Sequence, residues 1–213
     1  MDKRTLITFG LVIALVGLAA WYWSSNQETE ELAGPEELAE LSESEDSINT
    51  NVEIMTYSFP GVLDSERIDN KQVSISTDKG DIVFELYADT APMAVSNLVY
   101  LAEAGYFDGL TFHRREEGFV IQGGDPAGNG TGGPGYMFAD ELDDDYSYDR
   151  GIVAMANRGP DTNGSQFFIM LADYPLPKNY TIFGRVTSGM EVVDSIAVGD
   201  VMNTVVVGDP ETK

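Results

Sequence analysis

The stretch FHRREEGFVIQGGDP, residues 112–126, holds the only histidine in the chain, and two arginines follow it directly. Two short strand-like runs, TFHR and FVIQG, meet in it. Whether its chemistry belongs to His113 or to the neighbouring arginine decides what kind of protein this is. A single histidine excludes a multi-histidine metal site within one chain. With no cysteine anywhere, a disulfide framework, a zinc–thiolate site and a cysteine nucleophile are excluded as well.

Outward from this stretch, strand signals dominate. Val73, Ile75 and Thr77 alternate with Ser74, Ser76 and Asp78, and Asp78-Lys79-Gly80 turns the chain into IVFELY as a hairpin. In TAPMAVSNLVYLAEAG the apolar Ala94, Leu98, Leu101 and Ala102 recur at helical spacing. Thr90 is the expected cap, Pro92 suits the first turn and Gly105 ends the helix. GIVAMAN, SQFFIML, TIFGRV and VMNTVVVGD read as further short strands, and MEVVDSIA as a second helix. Many short strands with two helices predict a mostly β fold, a closed or nearly closed β-barrel with capping helices.

The 213 residues carry a net charge of −24 and are 43% hydrophobic, enough for one packed domain with appendages. Such an acidic surface repels phosphate backbones, so no nucleic-acid partner is expected. The charge is concentrated: ten acidic residues and no basic one lie between Glu28 and Glu53. That segment buries too little apolar surface to offset its ordering entropy, and like charges extend it. Before it, Leu6 to Trp23 is uncharged and nearly all apolar, preceded by Lys3 and Arg4 and closed by Trp21, Tyr22 and Trp23. Basic residues ahead of an apolar run of about 20 residues, with aromatics at its far end, fit a membrane helix with a cytoplasmic N-terminus. A cleaved signal peptide ending near Gly17 and Ala19 is the alternative. The expected organisation is a cytoplasmic tip at 1–5, an anchor at 6–23, an acidic and largely disordered linker at 24–70, and a folded domain at 71–210. Residues 52–70 either add a strand or simply lead into the domain.

The common catalytic signatures are missing their parts. Gly128-x-Gly130-x-x-Gly133 has the dinucleotide spacing, but Pro134 and Tyr136 follow it where a helix would be needed. Ser165 is not in a nucleophile elbow. DELDDDYSYD lacks the EF-hand spacing and reads as a solvated acidic loop.

What remains are two long blocks, FHRREEGFVIQGGDPAGNGTGGPGYMFADE (112–141) and GIVAMANRGPDTNGSQFFIML (151–171). They resemble the two signature blocks of the cyclophilins, the peptidyl-prolyl cis-trans isomerases, and the resemblance extends from about Gln72 to Asp209. It implies an eight-stranded antiparallel barrel closed by two helices, no cofactor and no metal. It also explains the lack of an acid or base. Rotation about a peptide bond meets a barrier of about 18–20 kcal/mol from amide resonance, and no covalent bond has to break. A catalyst must favour a twisted prolyl amide, whose nitrogen has regained its lone pair, over both planar forms. A rate gain of about 10⁵ requires roughly 7 kcal/mol of such preference. One charge-assisted hydrogen bond supplies only about 1.5–3 kcal/mol, so orientation and a water-poor pocket must add the rest.

In the family pattern the arginine of FHR donates that bond, which here is Arg114, and His113 lines the site without being an obligatory base. Phe119 and Val120 match positions that pack against the proline ring, and Phe168 and Leu176 match further walls. Gln122 and Gln166 match two glutamines beside the reacting amide. Ala156 and Asn157 match the segment whose backbone holds the peptide before the proline. Arg158 departs from the alanine of well-known members and places a cation at the rim. Tyr180 falls where many have histidine, and Pro175 or Tyr174 where many have the tryptophan that faces cyclosporin. The resulting expectation is a monomeric, single-pass membrane enzyme with its domain outside the cytoplasm, acting on proline-containing unfolded or exported polypeptides. A proline-peptide binding module or holdase without turnover is the alternative.

Overall fold

The computed structural model describes residues 57–210. The expected tip, the anchor at 6–23 and the acidic linker up to residue 56 lie outside the described residues. Eight strands form one antiparallel sheet: β1 (Gln72–Thr77), β2 (Gly80–Leu86), β3 (Arg114–Glu116), β4 (Val120–Gly123), β5 (Ile152–Met155), β6 (Phe167–Met170), β7 (Ile182–Ser188) and β8 (Thr204–Gly208). Their order across the sheet is β3-β4-β6-β5-β7-β2-β1-β8. Among the described residues three helices accompany them: α1 (Ser65–Ile68), α2 (Pro92–Glu103) and α3 (Met190–Ser195).

The opening hairpin forms where expected. Thr77 pairs with Gly80, and the Thr77 hydroxyl donates to the Gly80 carbonyl at 2.7 Å and accepts from the Lys79 N–H at 3.1 Å. Alternation then sends Val73, Ile75 and Thr77 of β1 inward with Ile82, Phe84 and Leu86 of β2. Every residue of β5 and β6 is buried, because both faces of the sheet are covered there. Period two divides these residues between two clusters. Val153, Met155, Phe167 and Ile169 join the main core with α2 residues Ala94, Val95, Leu98, Val99, Leu101 and Ala102. Ile152, Ala154, Phe168 and Met170 point the other way, with Val120, Ile182 and Tyr148. The smaller, outer cluster is the floor on which the functional site is built.

The structure corrects four expectations. The barrel is not closed by a β ladder, since β3 and β8 are the unpaired edges of the sheet. The seam is held by a single antiparallel bridge, Thr111 opposite Val201, with backbone bonds from the segments preceding those strands. Met202 N–H donates to Leu110 O, Gly109 N–H to Met202 O and Phe112 N–H to Asp200 O, all at 2.8–2.9 Å. Turns at 104–109 and 198–199 precede the bridged residues, so the pairing does not lengthen into a ladder there.

Second, Thr90 does not cap α2. Its hydroxyl is buried without a partner, while Glu141 accepts from the Met93 and Ala94 N–H groups at 2.9 Å each. A carboxylate at a helix N-terminus satisfies two orphan donors and complements the macrodipole, more than one hydroxyl can do. Third, the acidic loop is not simply solvated. Besides Glu141, the Asp144 side chain is only 1% exposed and pairs with Lys178.

Finally, the domain begins before residue 71. Tyr57 packs edge-on against Tyr106 and Tyr100 at ring separations of 5.1 and 6.2 Å. Phe59 stacks on Phe138 at 5.0 Å and meets Tyr136 at 5.9 Å. Leu63 N–H donates to the Ser96 hydroxyl, and Ile68 of α1 is buried in the main core. Residues 57–70 therefore form an aromatic strap rather than linker, because their apolar residues find a complementary surface on α2 and the 136–138 segment.

Candidate active site

Strand geometry places the site. On β4, alternation turns Val120 and Gln122 to the outer face and Ile121 and Gly123 to the core. Antiparallel pairing sets Arg114 opposite Gln122, and Gln122 opposite Phe168. Ala154 lies next to Phe168 on the following strand. The result is a groove of about 150 Å³ lined by Arg114, Phe119, Val120, Gln122, Ala156, Asn157, Phe168 and Tyr180. Val120 and Phe168 are buried at its floor, Tyr180 stands edge-on to Phe168 at 5.5 Å, and Tyr174 leans on Phe119 at 4.9 Å.

Arg114 stands beside this apolar surface with its guanidinium carbon 5.9 Å from the Phe119 ring centroid. Two acceptors fix its orientation: one Nη donates to Gln122 Oε1 at 3.0 Å, the other to Glu116 Oε1 at 2.8 Å. The Gln122 amide is itself oriented. Its Nε2 donates to Gln166 Oε1 at 2.9 Å, and Gln166 Nε2 donates to the carbonyls of Gly130 and Gly132 at 3.0 and 2.9 Å. Two fixed carbonyls thus dictate which way each glutamine points, and the last oxygen in the series faces the guanidinium. The Arg114 side chain is 42% exposed, so its free N–H groups are open to a ligand.

Of the residues expected in the site, eight meet in this groove and four do not. Gln166 and Arg158 line a neighbouring pocket of about 100 Å³ that shares Gln122, Ala156 and Asn157 with the groove. Leu176 packs against the outer cluster without reaching the groove lining. His113 also lies off the lining. It precedes β3, and both of its ring nitrogens are buried with no hydrogen-bond partner.

Burial pushes the His113 pKa below its ordinary 6.5. The Arg114 charge acts in the same direction and the Asp125 charge opposes it. A ring with no partner and a depressed pKa is neutral near pH 7, which fits a packing role. The unfolded chain binds this proton more readily than the folded one, so stability is fully present above about pH 6.5 and falls as pH drops toward the folded-state pKa. Urea midpoints of wild type and His113→Gln, compared at about pH 7.5 and 5.5, should show wild type losing more on acidification. Parallel losses in the two proteins would contradict a depressed His113.

Three supporting residues were not among the expected site residues. Glu116 follows Arg114 by two positions on the same strand face, and that spacing was its only signal. Tyr148 donates to the Tyr180 carbonyl at 2.8 Å and accepts from the Tyr180 N–H at 3.1 Å, fixing one wall of the groove. Asp125 is buried, and burial alone would raise its pKa. Hydrogen bonds from the Ala127, Asn129 and Gly130 N–H groups outweigh this and lower it. Its charged carboxylate holds the loop whose carbonyls orient Gln166.

The cyclophilin type peptidyl-prolyl cis-trans isomerase family model matches residues 72–211. A peptidyl-prolyl cis-trans isomerase of Helicobacter pylori is 44% identical over 157 residues, covering 72% of this chain and 94% of that protein. Peptidyl-prolyl cis-trans isomerase B of Bacillus subtilis is 48% identical over 130 residues, covering 60% and 91%. Among solved structures, a cyclophilin type isomerase of Cryptosporidium parvum is 36% identical with a TM-score of 0.62, covering 66% of this chain and 99% of its own. The same protein has been crystallised in the presence of the dipeptide Ala-Pro. An apolar groove beside an oriented arginine, the eight-stranded antiparallel sheet and these matches across the whole domain establish that the chain belongs to the cyclophilin-type peptidyl-prolyl cis-trans isomerases.

Proposed function

We propose that the groove seats a prolyl ring against Phe119, Val120 and Phe168, and that Arg114 lowers the barrier by donating to the prolyl nitrogen as the amide twists. In the planar amide the nitrogen lone pair is delocalised and accepts poorly, so the bond gains strength only near the perpendicular geometry. A donor already held by Gln122 and Glu116 needs little reorganisation when that acceptor appears. Gln122 contributes by positioning, and the Asn157 segment holds the polypeptide before the proline. The observation that carries the reading is the two-point fixation of Arg114 at the edge of the apolar groove. Exchange spectroscopy on a short X-Pro peptide, with wild type and an Arg114 variant, tests it.

The substrates fitting this site are exposed prolines in unfolded or exported polypeptides, taken up by a monomer. Lys3, Arg4 and the apolar run from Leu6 to Trp23 support a tethered enzyme whose domain lies outside the cytoplasm. Among the described residues no helix is long and apolar enough to cross a membrane, so the tether rests on sequence. Protease added to intact cells or spheroplasts is expected to digest the domain. A protected domain would reverse the orientation.

A further inference from the structure

The acidic balance of this chain makes its unpaired cations conspicuous. Nine lysines and arginines fall among the described residues. Seven lie within salt-bridge distance of a carboxylate: Arg67, Lys71, Lys79, Arg114, Arg115, Arg150 and Lys178. Of the other two, Arg185 faces Glu85 across the β2–β7 ladder. Arg158 has no such neighbour among the described residues and stands at the functional site.

Its surroundings are specific. Arg158 is the one charged side chain lining the pocket that shares Gln122, Ala156 and Asn157 with the prolyl groove. One Nη donates to the Thr131 carbonyl at 2.9 Å, spanning from the 157–159 segment to the opposite wall. Its other N–H groups have no acceptor among the described residues. The nearby carboxylates are otherwise engaged. Asp140 accepts from Asn163, Asn157 and the Asp161 N–H, and Asp161 accepts from the Asp140 N–H. Gly130, Gly132 and Gly133 line the pocket without side chains of their own.

We propose that Arg158 makes this pocket selective for a carboxylate side chain, aspartate or glutamate, one or two positions from the proline, by acting as its counter-ion. The inference rests on the proposed seating of the prolyl ring in the adjacent groove. An extended chain advances about 3.3 Å per residue, so a residue in that range reaches a pocket sharing three lining residues with the groove. The chain's overall negative charge works against an acidic peptide, but beyond about 8 Å it is screened at physiological salt. Contact with Arg158 is therefore the term that discriminates.

Exchange rates for Ala-Ala-Pro-Ala-Ala peptides carrying Glu or Gln at one flanking position at a time test this. The readout is the Glu-to-Gln ratio of kcat/KM within each protein, from which any general change in turnover drops out. Wild type is expected to prefer Glu about fivefold at one of the positions, the scale of a partly exposed ion pair. Arg158→Gln should bring the ratio to about one, and Arg158→Lys should keep part of it. Gly133→Leu should also lower it by filling the pocket. A Cβ at residue 133 meets nothing within 4 Å, so the substitution begins without a backbone clash. A wild-type ratio of one at every position, or a preference that survives both Arg158→Gln and Gly133→Leu, would overturn the subsite. Arg114→Ala separates this proposal from the one it rests on. Full activity of that variant removes the twisted-amide reading, while the Glu-to-Gln ratio remains measurable.

Discussion

Arg114→Ala is expected to lower kcat/KM for cis-to-trans exchange of a short Ala-Pro peptide by about 10²-fold or more. Removing one preorganised donor to charge that develops in a transition state costs about 10²–10³ in rate. The loss should appear mainly in kcat, because the planar ground state offers this donor little to bind. Arg114→Lys should recover only part of it. An ammonium cannot donate at once to Gln122, Glu116 and the prolyl nitrogen through one planar group. Folding should be nearly unaffected, since the side chain is 42% exposed and its ion pair with Glu116 lies at the surface. A variant with wild-type exchange rates and an unchanged circular dichroism spectrum would eliminate Arg114 as the donor.

Gly124→Ala is expected to destabilise the domain by roughly 3 kcal/mol or more, lowering Tm by about 10 °C. Gly124 has φ +82°, and a Cβ there would lie 3.1 Å from the Ser165 carbonyl carbon and 3.2 Å from the Gln166 Cα, nearer still to the Ser165 oxygen. That is backbone against backbone, so no rotamer change relieves it. The same contact supports the site, because Ser165 donates to the Gly124 carbonyl at 2.6 Å and Gln166 follows it. Exchange activity should therefore fall together with stability. Gly133→Ala is the control: its φ lies outside the left-handed region, and its Cβ would meet nothing within 4 Å. Tm is expected to move by no more than about 2 °C there. Equal Tm values for the two variants would show that the close approach at residue 124 relaxes freely.

Local signals carried well where period and partner lay close in sequence. The β1–β2 hairpin, with Val73, Ile75 and Thr77 inward, follows from alternation and the Asp78-Lys79-Gly80 turn. The span of α2 follows from Pro92 at its start, Gly105 beyond its end and the helical spacing between them. The pairing of Arg114 with Gln122, eight residues apart, lies within one turn of chain between β3 and β4. Distant partners were not legible. The cap of α2 comes from Glu141, 48 residues after Met93. The strap of Tyr57 and Phe59 needs Tyr106 and Phe138 to make it favourable. Burial of Asp144 needs Lys178. Each depends on surfaces that exist only once the sheet has formed.

Sequence alone therefore determined the family, the order of the strands and of the two longer helices, and an arginine that lines the groove, because repeating apolar periods and two long contiguous blocks are local properties. Tertiary structure decided that His113 and Leu176 stand off the groove, that the sheet seam is one bridge rather than a ladder, and that Arg158 has no carboxylate partner among the described residues. The physical reason is common to all three. Which groups remain unpaired or face the groove is settled by competition among residues far apart in the chain, and that competition has an outcome only in three dimensions.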